Sequence, residues 1–170
     1  MKIKNKKSGF TLIEFLLYFS IAAITIFVIS IFLTTLLQFR TKNQTIAEVE
    51  QEGIQVMQIV TQTARNAKAI NSPTSGNSAP SISLNMADTN KNPTLFDLFS
   101  DVIRITEGAN QPIPLTSSGR IIASNLTFQN LSRPGTKGTV RIQFTLTYIN
   151  NSSRNEFEYS KTFLGSATIR

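Results

Sequence analysis

The sequence contains no cysteine and no histidine among its 170 residues. Without cysteine, no disulfide constrains the fold and no thiolate chemistry is open to the chain. Without histidine, a single chain cannot assemble zinc sites of the common kinds, imidazole general bases or Ser-His-Asp triads. These two absences remove the most common sites of metal binding and nucleophilic catalysis.

Acidic residues are also few, with 10 Asp and Glu against 17 Lys and Arg, which gives a formal net charge of +7. Four of the lysines precede residue 9, and the remaining chain has 13 basic against 10 acidic residues, a net charge of +3. This excess is too small to predict nucleic-acid binding. The six acidic residues after Glu52 are scattered, and no spacing pairs one of them with a nucleophile. We therefore predict no enzymatic activity, no cofactor, no metal site and no specific nucleic-acid partner.

One long stretch carries no charge at all, from Phe15 to Phe39. A helix of about 20 mostly apolar residues is enough to cross a bilayer. The lysines before this stretch should hold the N-terminus in the cytoplasm and leave the C-terminal part outside. Glu14 stands at the start of the apolar stretch, where a carboxylate is costly, at roughly 2.5–3.5 kcal/mol near the bilayer centre. It should therefore meet a cationic partner, which the local sequence does not supply.

The residues that lead into this stretch are Gly9-Phe10-Thr11-Leu12-Ile13-Glu14, directly after the basic leader. This pattern resembles the N-terminus of type IV prepilins and prepilin-like proteins, the pseudopilins. The resemblance implies that a prepilin peptidase cuts between Gly9 and Phe10 and that the new N-terminus, Phe10, is methylated. It also implies that Glu14 guides assembly by pairing with the N-terminal amine of a neighbouring subunit. The basic residues of the implied leader are Lys2, Lys4, Lys6 and Lys7.

The same resemblance implies a set of partners and a location. The partners are a prepilin peptidase and methyltransferase, other pilin subunits in a filament, an inner-membrane assembly platform and the lipid bilayer. The chain would first be a single-pass protein of the cytoplasmic membrane and then part of an extracellular or periplasmic filament of the type IV pilus or type II secretion kind. Many major pilins carry helix-breaking Gly and Pro where this chain has Ala23 and Ile31, and the stretch Val56 to Ile70 looks like minor pseudopilins of the J type. We therefore favour a minor pilin or pseudopilin.

Two alternatives remain open at this stage. A plain signal-anchor helix explains the length of the apolar stretch and the lysines, but it does not explain Gly9 beside Phe10 or the carboxylate of Glu14. Such an anchor would give a membrane-bound extracytoplasmic adhesion or binding module that does not polymerise. Glu14 itself could lie near the lipid headgroups and be solvated rather than paired.

The pattern beyond the membrane stretch predicts an α+β fold. Apolar residues at helical spacing continue to about Ile70, with Gly53 filling a gap in the stripe. The resulting parts are a leader (1–9), a membrane half of one helix (10–39), an amphipathic half (40–70) and a globular β-rich head (71–170). The amphipathic half should cover an antiparallel sheet, which is also the layout that the resemblance to pilins implies.

Alternation of apolar and polar residues predicts the strands. The predicted strands are 82–86, 102–106, 120–131, 139–149 and 156–164. The stretch 71–80 is predicted to be a loop, and 94–101 a short helix or a core-facing loop. Asp88 to Asn92 begins like a calcium-binding loop, but Pro93 and Phe99 stand where that loop requires Gly and Glu. A polar turn is therefore the favoured interpretation.

Overall fold

A computed structural model of the chain describes residues 9–117, 119–133, 136 and 138–170. The leader lysines named above lie outside these residues. One helix, α1, begins at Leu12 and ends at Asn66. The chain divides into two compact units, of which the first ends at Arg40 and the second begins at Thr41.

The second unit holds two antiparallel sheets, which confirms the α+β fold class. The five-stranded sheet has the order β1-β3-β4-β5-β6 and the four-stranded sheet the order β2-β7-β8-β9. Between the paired strands β3 and β4, and again before β9, the chain makes short 3-10 turns at Thr89–Lys91 and Asn155–Phe157. The strand bounds are β1 Ala67–Ser72, β2 Ser78–Ala79, β3 Ile82–Met86, β4 Thr94–Phe99, β5 Val102–Glu107, β6 Ile113–Pro114, β7 Ile121–Asn130, β8 Thr139–Tyr148 and β9 Ser160–Thr168.

The apolar stripe of α1 beyond Thr41 packs into one core with both sheets, as its spacing predicted. The stripe residues are completely or almost completely buried, because the inner faces of the strands cover them. Val140, Ile142, Phe144 and Leu146 of β8 alternate inward, and Leu126 and Phe128 of β7 do the same. The buried residues of α1 are Thr45, Val49, Gly53, Val56, Val60 and Ala64.

Two glycines allow the close approach of α1 to β9. A Cβ atom placed on Gly53 would lie 2.0 Å from Cζ of Phe163, so the aromatic ring occupies the space that any larger residue would need. Gly165 of β9 makes room for α1 in the same way, because a Cβ atom placed on it would lie 2.5 Å from Sδ of Met57. The ring of Phe163 also stacks on Phe144 of the next strand, with 5.3 Å between the ring centroids. The absence of a side chain at Gly53 therefore lets the ring of Phe163 pack directly against the backbone of α1.

Several predicted boundaries differ from the structure. The helix was expected to reach about Ile70, but it ends at Asn66 because residues 67–72 form β1, which pairs with β3. Pairing within the sheet outweighs the modest helical preference of such a short segment. Residues 94–101, predicted as a short helix or loop, form β4 and the turn after it. Apolar residues lie on both faces of β4, and both faces are partly buried. The sequence therefore does not alternate between apolar and polar residues, which is the usual signal of a strand.

The strands are divided between two sheets rather than lying in the one antiparallel sheet that the sequence predicts, although the three predicted C-terminal strands do follow one another as β7, β8 and β9. Residues 82–86 and 102–107 belong to one sheet, whereas β7, β8 and β9 form the other. The stretch 71–80 is not wholly a loop, since it includes the end of β1 and the two residues of β2. The last strand begins at Ser160 rather than residue 156 and continues to Thr168, because Phe157 lies in a 3-10 turn.

We predict that Gly53→Ala destabilises the second unit. Alanine favours a helix by roughly 1 kcal/mol over glycine, but the new methyl group would displace the ring of Phe163 from a packed core. Overpacking of this kind costs about 1–3 kcal/mol, and the large overlap places the change towards the upper end of that range, so a net loss of about 1–2 kcal/mol is expected.

Urea unfolding of the full chain in detergent would measure the loss. Gly119→Ala is the matched control, because a Cβ at Gly119 meets no atom within 4 Å. Equal or greater stability of Gly53→Ala would contradict the packing described for Phe163.

Candidate functional site

The segment from Gly9 to Thr11 precedes α1 and is not helical. Gly9 and Phe10 are both exposed, and a Cβ atom built on Gly9 would meet nothing within 4 Å. The ring of Phe10 contacts Tyr18, two helical turns further along, at 5.7 Å between centroids. The peptide bond between Gly9 and Phe10 therefore lies in accessible, non-helical backbone.

Thr11 and Glu14 form a capping box at the start of α1. The Thr11 side-chain oxygen accepts a hydrogen bond from the Glu14 backbone N–H at 3.4 Å. In return, Oε2 of Glu14 accepts from the backbone N–H of Thr11 at 3.3 Å and from its hydroxyl at 3.2 Å. This exchange satisfies backbone donors that the first turn of a helix otherwise leaves free. The structure thus gives Glu14 a local role that the sequence analysis missed, although the spacing Thr-x-x-Glu is its known signature.

The capping box leaves part of the carboxylate available. Oε1 of Glu14 accepts no hydrogen bond from any residue in the described ranges, and the ion pairs within those ranges do not include Glu14. The residue is exposed. A cation could therefore approach Glu14 without breaking the cap.

The part of α1 up to Arg40 exposes its apolar side chains on every side. The large apolar residues from Phe10 to Phe39 are between 45% and 81% exposed. The most apolar window of the helix has a mean hydropathy of 2.6, and none of it is buried. A helix that is apolar around its whole circumference is typical of a membrane span or a buried core helix. By length and composition, α1 is able to cross a membrane.

The serine and threonine hydroxyls in this apolar stretch are all satisfied within the helix. The five Ser and Thr side chains each donate to a carbonyl three or four residues earlier, at 2.8–2.9 Å. Such bonds remove the cost of placing a hydroxyl in hydrocarbon, where water cannot serve as a partner. The hydroxyl residues are Ser20, Thr25, Ser30, Thr34 and Thr35. The segment is therefore compatible with lipid despite its polar side chains.

In the second unit, carboxylates of α1 hold the surrounding elements by ion pairs. Oε1 of Glu50 lies 2.6 Å from Nζ of Lys161 in β9 and accepts from the Tyr159 hydroxyl at 3.3 Å. The hydrogen bond from Lys161 lowers the pKa of the Glu50 carboxyl. On the other flank, Glu48 pairs with Arg120 at 3.1 Å. These contacts connect α1 to the sheets and have no arrangement that indicates catalysis.

Glu52 lies one helical turn after Glu48 on the same flank of α1, at a cavity of about 460 Å³. Its Oε1 accepts from the backbone N–H of Ser117 at 2.6 Å, whereas Oε2 is buried and has no hydrogen-bond partner among the described residues. Burial raises the pKa of the Glu52 carboxyl, against the opposing effect of the hydrogen bond from Ser117. The nearby charge of Glu48 adds to the rise in pKa.

The loop that resembled the start of a calcium site is a capped turn. Oδ1 of Asp88 accepts from the backbone N–H of Asn90 at 2.9 Å and so caps the 3-10 turn Thr89–Lys91. Across the described residues, no cluster of three or more acidic side chains is arranged to hold a metal ion. The polar turn that the sequence favoured is the observed structure.

Comparison with models of known protein families, with curated proteins and with solved structures found no match to this chain. The resemblance to prepilins therefore depends on the residues from Gly9 to Glu14 and on the apolar stretch that follows them.

We predict that acidification strengthens the second unit through Glu52. Because the pKa of Glu52 is raised on folding, the folded state binds the proton of this carboxyl more tightly than the unfolded chain does. The free energy of unfolding should therefore fall as the pH rises from 4.5, the ordinary pKa, through the raised pKa. Glu52→Gln keeps an acceptor for Ser117 but cannot ionise, and it should lose this contribution.

Urea unfolding of the full chain in detergent, repeated across that pH range, tests the prediction. Glu48→Gln is the control for the loss of one negative charge on the same face, and it should keep most of the fall, because burial rather than Glu48 is the main cause of the raised pKa of Glu52. Identical pH dependence in Glu52→Gln and the parent chain would show that Glu52 does not contribute.

Proposed function

We propose that this chain is a structural and assembly subunit of a type IV pilus-like or type II secretion-like filament, most like a minor pilin or pseudopilin. In this proposal, a prepilin peptidase cuts the chain between Gly9 and Phe10 and the new N-terminus is methylated. The apolar part of α1 anchors the subunit in the cytoplasmic membrane, with the second unit outside. On assembly, the same part of α1 moves from lipid into the filament.

The observation that carries the proposal is the position of Glu14. A carboxylate in the first turn of an exposed apolar helix has no cationic partner among the described residues. Cleavage before Phe10 would create a positive amine four residues away. A neighbouring subunit would bring a second such amine to Oε1 of Glu14, and the cap with Thr11 would occupy only Oε2. Pairing of the two charges would offset the cost of placing each in a low-dielectric environment.

Access to the cleavage site supports the same proposal. A peptidase must bind its substrate in an extended conformation, and Gly9 and Phe10 lie outside the helix with exposed side chains. The satisfied hydroxyls of the apolar stretch support transfer into lipid or into a bundle of similar helices. The alternative is a single-pass anchor for an adhesion or binding module, which would keep residues 1–9 and would not polymerise.

Mass spectrometry of the N-terminus separates the two functions. When the full chain is expressed with a prepilin peptidase, we expect a mature protein that begins with N-methylated Phe10. Gly9→Leu should block the cut, because a large side chain would occupy the position directly before the scissile bond. Gly119→Leu is the control for glycine replacement at another open site. Recovery of intact Met1 from the functional protein would favour the plain anchor.

The capping and assembly roles of Glu14 can also be separated. Glu14→Gln keeps an oxygen for the capping box but removes the charge, whereas Thr11→Val removes the cap but keeps the charge. If charge pairing guides assembly, Glu14→Gln should lower incorporation into filaments by roughly tenfold or more, the effect of losing about 1.4 kcal/mol or more of ion-pair free energy. Thr11→Val should stay within a few fold of the parent chain.

Incorporation would be measured as the ratio of chain in sheared filaments to chain in membranes. Both variants should still be cleaved and inserted in the membrane, which N-terminal mass spectrometry and membrane fractionation would check. Normal filaments from Glu14→Gln, or an equal defect in Thr11→Val, would mean that Glu14 serves mainly as a cap.

A further inference from the structure

The side chain of Phe10 folds back along the first two turns of α1. Phe10 itself precedes the helix, which begins at Leu12, yet its ring lies against that of Tyr18. The ring centroids are 5.7 Å apart and the ring planes are tilted by 57°, an attractive arrangement for two aromatic side chains. Glu14 and Tyr18 are four residues apart, a spacing that places both on one face of a helix. The ring of Phe10 thus lies beside the face that carries Glu14.

The ring of Phe10 also determines where a new N-terminal amine would point. In the proposed function, cleavage leaves this amine on the Cα atom of Phe10. The next residue is already held, because the backbone N–H of Thr11 donates to Oε2 of Glu14. Beyond the planar peptide bond, the main remaining freedom is rotation about the Cα–C bond of Phe10. That rotation moves the amine and the side chain together, because both are bonded to Cα. A contact that holds the ring therefore sets the direction of the amine.

A second aromatic pair in the same stretch does not have this effect. Phe15 and Phe19 stack with 6.5 Å between their ring centroids, but both belong to the helix and are already fixed by it. Tyr18 instead restrains a residue that the helix does not hold. Terminal residues without such a contact are usually poorly ordered.

The other role open to Tyr18 depends on its hydroxyl. Tyrosine is common at membrane surfaces, where the ring lies in the apolar layer and the hydroxyl reaches the headgroups. Within the part of the chain that the structure describes, this hydroxyl forms no hydrogen bond. A surface anchor would need the hydroxyl, whereas the contact with Phe10 needs only the ring. The two roles are therefore separable by removing one group at a time.

We propose that Tyr18 is a positioning residue for the N-terminal amine of the mature chain. Its ring holds the ring of Phe10, which keeps the new amine beside the face of α1 that carries Glu14. An amine restrained in this way loses less conformational entropy when it pairs with the carboxylate of a neighbouring subunit. This inference rests on the proposed function, since it requires cleavage before Phe10.

Three variants of the full chain, each expressed with a prepilin peptidase, test the proposal. Tyr18→Leu removes the ring, and Tyr18→Phe removes only the hydroxyl. Phe19→Leu is the matched control, because it removes an aromatic pair from the same stretch without touching Phe10. We expect Tyr18→Leu to lower the incorporation of mature chain into filaments roughly 3–10-fold. Tyr18→Phe and Phe19→Leu should stay within about twofold of the parent chain.

A double-variant cycle shows whether Tyr18 acts through Phe10. In Phe10→Leu the ring that Tyr18 holds is gone, so the further change Tyr18→Leu should lower incorporation by less than about twofold. Incorporation is counted per cleaved chain, measured by N-terminal mass spectrometry, so that an effect of Phe10→Leu on cleavage does not enter. A full additional loss in the double variant would overturn the proposal. Equal defects in Tyr18→Phe and Tyr18→Leu, or in Phe19→Leu and Tyr18→Leu, would also overturn it.

Nuclear magnetic resonance gives a measurement that does not need filaments. With 4-fluorophenylalanine at position 10, the fluorine signal of the cleaved chain in detergent should be displaced by the neighbouring ring in the parent and in Tyr18→Phe. Tyr18→Leu should lose this displacement, and an unchanged signal in that variant would contradict the contact.

The outcomes also distinguish this inference from the proposed function. Normal cleavage after Gly9 and a filament defect in Glu14→Gln, together with normal filaments from Tyr18→Leu, would refute only the role of Tyr18. Recovery of the uncleaved parent chain from functional filaments would refute both.

Discussion

A segment in hydrocarbon cannot draw hydrogen bonds from its surroundings, and the first unit, whose helix is long and apolar enough to cross a membrane, meets this constraint. The helix satisfies its own backbone, and the hydroxyls from Ser20 to Thr35 donate to carbonyls of the preceding turn. Thr11 and Glu14 close the first turn by the capping box. What remains between Thr11 and Phe39 is one formal charge, the negative charge of Glu14. In the proposed function, cleavage before Phe10 would generate a cation, the new N-terminal amine, four residues from this carboxylate.

The second unit depends on a different contact, the insertion of Phe163 against Gly53. This contact brings α1 close enough to β9 for Lys161 to reach Glu50 and for Met57 to cover Gly165. The opposite flank of α1 holds the segment before β7 through the hydrogen bond between Glu52 and Ser117. The helix therefore positions both sheets, and its end accepts a hydrogen bond from the backbone N–H of Arg170, just after β9.

The features that the sequence predicted correctly are those in which apolar residues recur at a regular spacing. The buried stripe of α1, the inward residues of β8 and the membrane-compatible stretch all follow from spacing, and the structure agrees with each. It did not predict β4, because apolar residues occur on both faces of that strand. It also could not predict the division into two sheets or the end of α1 at Asn66, since both depend on pairing between distant segments. The capping box is readable from the Thr-x-x-Glu spacing of Thr11 and Glu14.

The contact between Gly53 and Phe163 joins residues 110 positions apart in the sequence. During synthesis, the apolar stripe from Val49 to Ala64 therefore emerges long before the strand that covers part of it. Contacts of such long range slow folding, and uncovered apolar surface favours aggregation meanwhile. The nascent chain is therefore open to aggregation until Phe163 has been synthesised. Chaperones would have to shield the stripe until then.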